Sequence, residues 1–161
     1  MKRNLLIIED DEIKLQNIVS FLEKKYEYFN IDIAKSYISG LKKINTNDYE
    51  LILLDMSMPT YDKNSTEQGG IWEKFAGKRI LSEIKRKRKN VKVIVVTMYD
   101  KFGEGNSADS LDNIHKELSD NFPDFYLGKV FYSAKILAWG DDLELLLNKF
   151  ISDNNGQHTH N

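Results

Sequence analysis

The sequence contains no cysteine among its 161 residues. This absence excludes disulfide bonds, thiolate catalysis and zinc–thiolate sites. Long apolar runs are missing as well. The first apolar run covers only residues 5–8 and is followed directly by Glu9. Such a run is too short for a signal peptide, and no other stretch is apolar over the length of a bilayer. We therefore expect a cytoplasmic protein.

Neither sign of charge dominates, since the formal net charge is −2 at pH 7. This balance favours neither nucleic acid nor an anionic membrane as a partner. The run of five basic residues at 85–89 is interpreted as an exposed helix end, where cations complement the helix dipole. With 41% hydrophobic and 30% charged residues, the chain is typical of a globular protein with room for one core.

The sequence does contain a regular alternation of apolar and amphipathic segments. We predict strands at residues 5–8, 29–34, 51–54, 91–96 and 127–134. A helix with apolar positions at helical spacing follows each strand, and Asp11, Ser36 and Ser107 are candidate N-caps. Five such repeats predict an α/β sheet with helices on both faces.

Two polar segments do not fit this alternation. Residues 60–76 contain Gly69 and Gly70 but no periodic apolar face, and we predict a loop. From Asp153 to the end the chain is polar, so residues 153–161 are predicted to be a flexible tail that carries His158 and His160. Residues 1–152 then form the domain.

Polar side chains stand where the apolar strands end. Glu9 and Asp10 follow the first strand, Asp55 the third, Thr97 the fourth and Lys135 the fifth. The carboxyl ends of parallel strands share one edge of a sheet, so these side chains can converge. Three carboxylates repel one another unless a hard cation binds them, and Mg²⁺ suits such a site. Asp55 would then be free to accept a phosphoryl group, with Thr97 and Lys135 binding the phosphate oxygens.

The sequence at these positions resembles the receiver domain of two-component response regulators. The matching segments are Ile-Ile-Glu-Asp-Asp at 7–11, Leu-Leu-Asp-Met-Ser-Met-Pro at 53–59, Val-Val-Thr at 95–97 and Tyr-Ser-Ala-Lys at 132–135. Together they extend the resemblance over about residues 4–152. It implies a flavodoxin-like, doubly wound sheet of five parallel strands in the order 2-1-3-4-5.

The resemblance also implies a role for each site residue. Asp55 would be the phosphoacceptor, and Glu9 and Asp10 would hold Mg²⁺ with Asp55 and the backbone carbonyl of Ser57. Thr97 and Lys135 would bind the phosphate. In addition, Tyr132 would be the aromatic switch residue, and Ser57 and Tyr99 occupy positions that tune loss of the phosphoryl group.

The sequence departs from the family pattern in three places. The segment after Pro59, about residues 60–76, is longer than is usual for the family, and it is either a flap over the phosphorylation edge or a tolerated insertion. The loop after Thr97 is long as well. Finally, Ile136 follows Lys135 where the family usually has proline, which leaves Lys129 as an alternative; Lys129 lies mid-strand, so we assign Lys135.

These features predict a receiver rather than an enzyme. We expect it to be a stand-alone receiver, because only eleven residues follow Phe150. It would take its phosphoryl group from a histidine kinase or phosphotransfer protein, with at most self-phosphorylation and autodephosphorylation of its own. Its output would be a downstream protein of unknown identity, with no nucleic acid or membrane contact, and the chain would be a monomer or weak dimer. An alternative is a receiver-like scaffold that is never phosphorylated.

An aspartate-nucleophile phosphohydrolase is a weaker alternative, because Ser57 stands where such an enzyme needs a second aspartate. A nucleotide or flavin site is weaker still, since no glycine-rich loop follows the first strand.

Overall fold

Five parallel strands form the central sheet of the computed structural model, which describes residues 2–64, 69–98 and 111–157. The strands of this sheet are β1 (Arg3–Ile8), β2 (Phe29–Ala34), β3 (Leu51–Leu54), β6 (Lys92–Met98) and β7 (Tyr126–Tyr132). A separate antiparallel pair consists of β4 (Met58–Pro59) and β5 (Trp72–Glu73). The helices are α1 (Glu12–Lys25), α2 (Tyr37–Thr46), α3 (Ala76–Arg86), α4 (Leu111–Asn121) and α5 (Ala138–Gln157).

The strand order in the sheet is β2-β1-β3-β6-β7. Numbered along the chain without the short pair, this order is 2-1-3-4-5, so the predicted doubly wound, flavodoxin-like fold is confirmed. Strands β1 and β3 are neighbours in parallel register, with Leu5 opposite Leu51 and Ile8 opposite Leu54. The acids that follow Ile8 and Leu54 are therefore brought to the same edge.

Alternate residues of these strands point to opposite faces of the sheet, and each face carries its own core. On one face Ile8 and Leu54 pack with residues of α2, α3 and α4, such as Ile80. On the other face Ile7 and Leu53 pack with residues of α1 and α5. Since both faces are covered, the central strands are apolar throughout, as a buried parallel sheet requires.

The first two helices begin at the residues that the sequence predicted. Asp11 is the N-cap of α1, where its side chain accepts a hydrogen bond from the backbone N–H of Lys14. Ser36 caps α2 and forms a reciprocal capping box with Ser39. The cap of α1 fixes the position of Lys14 one turn beyond the acids at the end of β1. The predicted cap Ser107 lies outside the described residues.

Residues 60–76 were predicted to form a loop, but the described part of this segment contains regular backbone pairing. Its two ends pair as an antiparallel hairpin, in which the backbone N–H of Thr60 donates to Ile71 at 3.0 Å and that of Tyr61 donates to Gly69 at 2.9 Å. Gly69 has φ +85°, a conformation that favours glycine. We call the described residues 58–64 and 69–73 the insertion hairpin. Backbone hydrogen bonds hold this hairpin together. Because it has no repeating pattern of apolar residues, hydrophobic periodicity in the sequence could not predict it.

The C-terminal segment also differs from the prediction. Helix α5 continues to Gln157, so residues 153–157, assigned from the sequence to a polar tail, are helical. Polar groups in this last part have partners, because Asn154 donates to the Phe150 carbonyl at 2.9 Å and Asn155 accepts from Arg3 at 2.9 Å. His158 and His160 lie outside the described residues. Among the helices in the described ranges, none is both long and apolar enough to cross a membrane.

Candidate functional site

The carboxyl edge of the sheet gathers the acids of two strands. Glu9 and Asp10 directly follow β1, and Asp55 directly follows β3, the neighbouring strand. A carboxylate oxygen from each of the three lies within 4.8 Å of one from each of the others. Glu9 and Asp55 are buried, while Asp10 is partly buried. The structure therefore brings together the three acids singled out in the sequence.

Asp55 is held by groups from its own strand and from β6. Its Oδ1 accepts a hydrogen bond from the Thr97 hydroxyl at 2.8 Å and from the backbone N–H of Met56 at 2.7 Å. Thr97 is fully buried near the end of β6. A carboxylate fixed by two donors has little rotamer freedom left, which suits a nucleophile that must meet its substrate in one orientation.

A lysine that the sequence reasoning did not select occupies the same cluster. Lys14, on the first turn of α1, is fully buried. Its Nζ lies 2.5 Å from Glu9 Oε2 and 3.3 Å from Asp55 Oδ2, and it donates to the Val96 carbonyl at 2.7 Å. A signal for this position was present in the sequence, because Lys14, Ile18 and Leu22 follow one another at intervals of four and so share one helix face.

The charges of the cluster do not balance within these residues. Burial by itself would lower the pKa of Lys14, but Asp55 and Glu9 together raise it above its usual value. Burial raises the pKa of Glu9, with a smaller raising effect from Asp55, although Lys14 opposes both. The raised pKa means that Glu9 resists ionisation, yet Asp10 and Asp55 by themselves outnumber the one ammonium of Lys14. These four residues therefore keep an excess of negative charge.

Clustered carboxylate oxygens with excess negative charge are the donor set that a hard divalent cation prefers. The residues present therefore fit Mg²⁺, with Glu9, Asp10 and Asp55 as the acids that would hold it. Ser57 lies two residues beyond Asp55 and is fully buried. Within the described residues its hydroxyl is buried without a hydrogen-bond partner.

Comparison with known proteins identifies the family. The family model described as the response regulator receiver domain matches residues 5–121. The chain belongs to the response regulator receiver family. Receivers are signalling domains, so the prediction of a signalling domain is supported at the level of the family.

Two relatives resemble this receiver over most of their length. Protein y4jR of Sinorhizobium fredii is 28% identical over 135 residues, which covers 83% of this chain and 89% of the relative. The Detocs response regulatory protein DtcB of Enterobacter cloacae is 26% identical over 141 residues, which covers 86% of this chain and 94% of the relative. The receiver domain of Francisella response regulator 1452 has the same fold, with a TM-score of 0.64, 23% identity and coverage of 95% of this chain and 99% of that one.

The two lysines that the sequence suggested for this receiver, Lys135 and Lys129, make their contacts with residues other than Asp55. Lys135 is exposed in the connection between β7 and α5, where it lines a surface cavity with Ile136 and Trp139. Lys129, the alternative, forms an ion pair with Asp112 at 2.5 Å. Among the described residues, the ammonium that pairs with Asp55 is that of Lys14. The acids and Thr97 are thus brought together as predicted, while Lys135 is not brought to them.

The proposed switch residue of the receiver, Tyr132, is buried at the end of β7. Its hydroxyl accepts a hydrogen bond from Asn17 of α1 at 2.7 Å, and its ring packs 5.2 Å from that of Trp139. The Lys14 ammonium lies 5.9 Å from the centre of the Tyr132 ring, within the range of a cation–π contact. Tyr132 therefore borders the acidic cluster through Lys14. Tyr99 lies outside the described residues.

The insertion hairpin flanks the receiver's acids on the side of Asp10. Lys63 Nζ lies 3.6 Å from Asp10 Oδ2 and 5.6 Å from the centre of the Trp72 ring. On its other side the hairpin is attached to α2, because Asp62 accepts from Ser39 at 2.7 Å and the backbone N–H of Ile38 donates to Thr60 at 3.0 Å. The hairpin thus borders the edge of the sheet that carries the three acids.

Proposed function

We propose that this receiver accepts a phosphoryl group on Asp55 from a phosphohistidine of a histidine kinase or phosphotransfer protein. The transfer would depend on Mg²⁺ and would change a protein-interaction surface. The observation that carries the proposal is the position of Asp55, a buried carboxylate at a strand end that is fixed by Thr97 and adjacent to two further acids and an ammonium. A purely structural acid has no need of this setting.

The chemistry is a substitution at phosphorus. A lone pair on one Asp55 oxygen forms the new O–P bond while the P–N bond to the donor imidazole breaks, and its electron pair stays on the imidazole nitrogen, which takes a proton from water. Mg²⁺, held by Glu9, Asp10 and Asp55, would supply neutralisation of the charge on the phosphoryl oxygens. The hydroxyl of Thr97 already points to the acceptor and can be redirected to a phosphoryl oxygen.

The change in the protein-interaction surface would follow from the movement of the Thr97 hydroxyl toward the phosphoryl group. Thr97 lies in β6, whose neighbour β7 carries Tyr132 in the register Met98 opposite Tyr132. Moving Thr97 toward a phosphoryl group would alter the packing of Tyr132 against Trp139 on α5. The last two helices and β7 therefore form the surface that we expect a downstream protein to bind.

The test is phosphorylation with a small donor. The purified chain is incubated with Mg²⁺ and acetyl phosphate, and its intact mass is measured. We expect the mass of one phosphoryl group to be added to the wild type and to Asp120→Asn, which changes an exposed aspartate, but not to Asp55→Asn. Labelling that persists in Asp55→Asn would refute the proposal. A wild type that is not labelled would favour the alternative, a receiver that acts only as an unphosphorylated interaction module.

A further inference from the structure

The buried ammonium of Lys14 is the feature of the site that the proposed function leaves unexplained. An ammonium group has three N–H donors. In this structure three acceptors surround it, namely Glu9 at 2.5 Å, the Val96 carbonyl at 2.7 Å and Asp55 at 3.3 Å. The group is thus fully coordinated by protein, and it stands on a helix whose N-cap fixes its backbone.

The three contacts of Lys14 differ in length, and this difference identifies the one that can be exchanged. The two short contacts, to Glu9 and Val96, fix the ammonium in the cluster, while the contact to Asp55 is the longest. When Asp55 becomes an acyl phosphate, the carboxylate loses its negative charge and the phosphoryl oxygens carry it instead. The third N–H of Lys14 then has a better acceptor within a short movement of its present position.

The other lysines that the structure describes near this edge are less suitable. Lys135 is exposed, and Lys129 is paired with Asp112 on α4. Lys63 is more than half exposed and lies 3.6 Å from Asp10 rather than beside Asp55. A charge that is excluded from water interacts more strongly with a phosphoryl group than an exposed one does, because solvent screens the latter.

We propose that Lys14 of α1, rather than Lys135, supplies the ammonium that binds the phosphoryl oxygens on Asp55. This inference rests on the proposed function, since it concerns the state in which Asp55 is phosphorylated. Lys14 neither gives nor takes a proton in the transfer. It remains an ammonium, keeps its contacts with Glu9 and Val96, and exchanges the Asp55 carboxylate for a phosphoryl oxygen.

The experiment compares two lysines under one assay. Lys14→Met keeps the length of the side chain without its charge, and Lys135→Met is the matched control on the exposed lysine. The rate of labelling by acetyl phosphate with Mg²⁺ is measured by intact mass, and circular dichroism shows whether each variant is folded. We expect Lys14→Met to slow labelling on the order of 10²-fold, the size typical of losing one charge-stabilising donor, and Lys135→Met to leave the rate unchanged.

Lys14→Met leaves two buried carboxylates without their shared cation and can therefore prevent folding. A measurement on the wild type avoids this difficulty. With ¹⁵N-labelled lysine, beryllium fluoride and Mg²⁺ are added, and the side-chain ammonium resonances are recorded. We expect the protected resonance, assigned to Lys14 by its loss in Lys14→Arg, to shift when beryllium fluoride binds at Asp55, and the Lys135 resonance to stay in place.

The outcomes separate the two proposals. If the wild type is labelled, but Lys135→Met slows labelling as much as Lys14→Met does, or the Lys14 resonance does not move, then the assignment to Lys14 is wrong and phosphorylation of Asp55 stands. If the wild type neither takes up a phosphoryl group nor binds beryllium fluoride, both proposals fail together.

Discussion

At the scale of single residues, the site is decided by which donors face Asp55. Thr97 from β6 and the backbone N–H of Met56 bind one oxygen, and Lys14 from α1 lies beside the other. These groups come from three separate parts of the chain, so each depends on the fold for its position. Replacing the side chain of Thr97 removes one specific interaction while the surrounding apolar packing remains.

Thr97→Val removes the hydroxyl and keeps the shape of the side chain. The variant should fold, because the site of Thr97 is fully buried and valine is a good strand residue. We expect labelling by acetyl phosphate to slow on the order of 10²-fold, since one donor to the developing charge is lost. Thr97→Ser, which restores the donor, is the control and should retain most of the rate. A rate in Thr97→Val equal to that of the wild type would show that this hydroxyl does not contact the phosphoryl group.

The acids and Thr97 could be predicted from sequence because each follows an apolar run, and strand ends share one edge whatever the details of packing. The lysine that lies beside Asp55 could not be predicted in the same way. Lys135 also follows an apolar run, yet the chain turns there so that its side chain is exposed. Lys14 lies on the inward face of α1. The sequence does not give the distance between that face and the strand ends, so it could not show that this lysine reaches the acids.

At the scale of elements, α3 approaches the backbone that follows β3 very closely. The backbone N–H of Gly77, in the first turn of α3, donates to the Met56 carbonyl at 2.9 Å. A Cβ at this position would lie 2.7 Å from the Asp55 carbonyl oxygen and 2.9 Å from Met56 Cα. Both are backbone atoms that cannot move aside cheaply, so glycine is required by the space available and not by its φ angle.

Gly77→Ala should therefore destabilise the protein by about 1–3 kcal/mol, as overpacking of a tight contact does, and it should slow labelling of Asp55 as well. Gly140→Ala in α5 is the matched control, because the atoms nearest its Cβ would belong to the half-buried side chain of Phe21, at 3.2 Å, and this ring can shift. That change should cost less stability than Gly77→Ala, since alanine is the better helix former and offsets the close contact. Urea unfolding measures both variants, and equal stability of the two would contradict this account.

The insertion hairpin gives a second prediction at this scale. Residues 61–70 can be replaced by Asn-Gly, which favours a tight turn between paired strands and keeps Thr60 opposite Ile71. Since the hairpin borders Asp10 through Lys63, we expect labelling by acetyl phosphate to change little and transfer from a cognate kinase to change in rate or in choice of partner. Lys63→Ala alone serves as the control for the ion pair. Unchanged transfer from every kinase tested would leave the hairpin as a tolerated insertion.

At the scale of the whole molecule, the excess negative charge of the cluster links metal binding to stability. Any ion that binds the folded state alone stabilises it, by about 2.7 kcal/mol at a concentration 100 times its dissociation constant. For a chain of this size, each kcal/mol raises Tm by roughly 2–4 °C. Saturating Mg²⁺ should therefore raise Tm by several degrees.

Asp10→Asn should remove most of this increase, while Asp120→Asn, which changes an exposed aspartate on α4, should keep it. Differential scanning calorimetry with and without Mg²⁺ measures the effect. A Tm that does not respond to Mg²⁺ in the wild type would mean that Lys14 already provides all the cationic charge that the cluster accepts.

The overall architecture was the most predictable feature at this scale, because apolar strands and amphipathic helices alternate regularly and a parallel sheet needs both faces covered. The insertion hairpin and the last turn of α5 were missed for a common reason. Both depend on hydrogen bonds between polar groups, such as Tyr61 to Gly69 and Asn154 to Phe150, and such bonds leave no hydrophobic period in the sequence.

The sequence contains only two tryptophans, and they lie in different surroundings. Trp72 belongs to the insertion hairpin and is 44% exposed, whereas Trp139 is buried against Tyr132. Trp72→Phe and Trp139→Phe would each leave a single tryptophan, in the first case beside Tyr132 and in the second in the insertion hairpin, and its emission can be excited apart from that of the eight tyrosines. Stopped-flow emission from the two variants would then time events at the hairpin and at Tyr132 independently, without an attached dye.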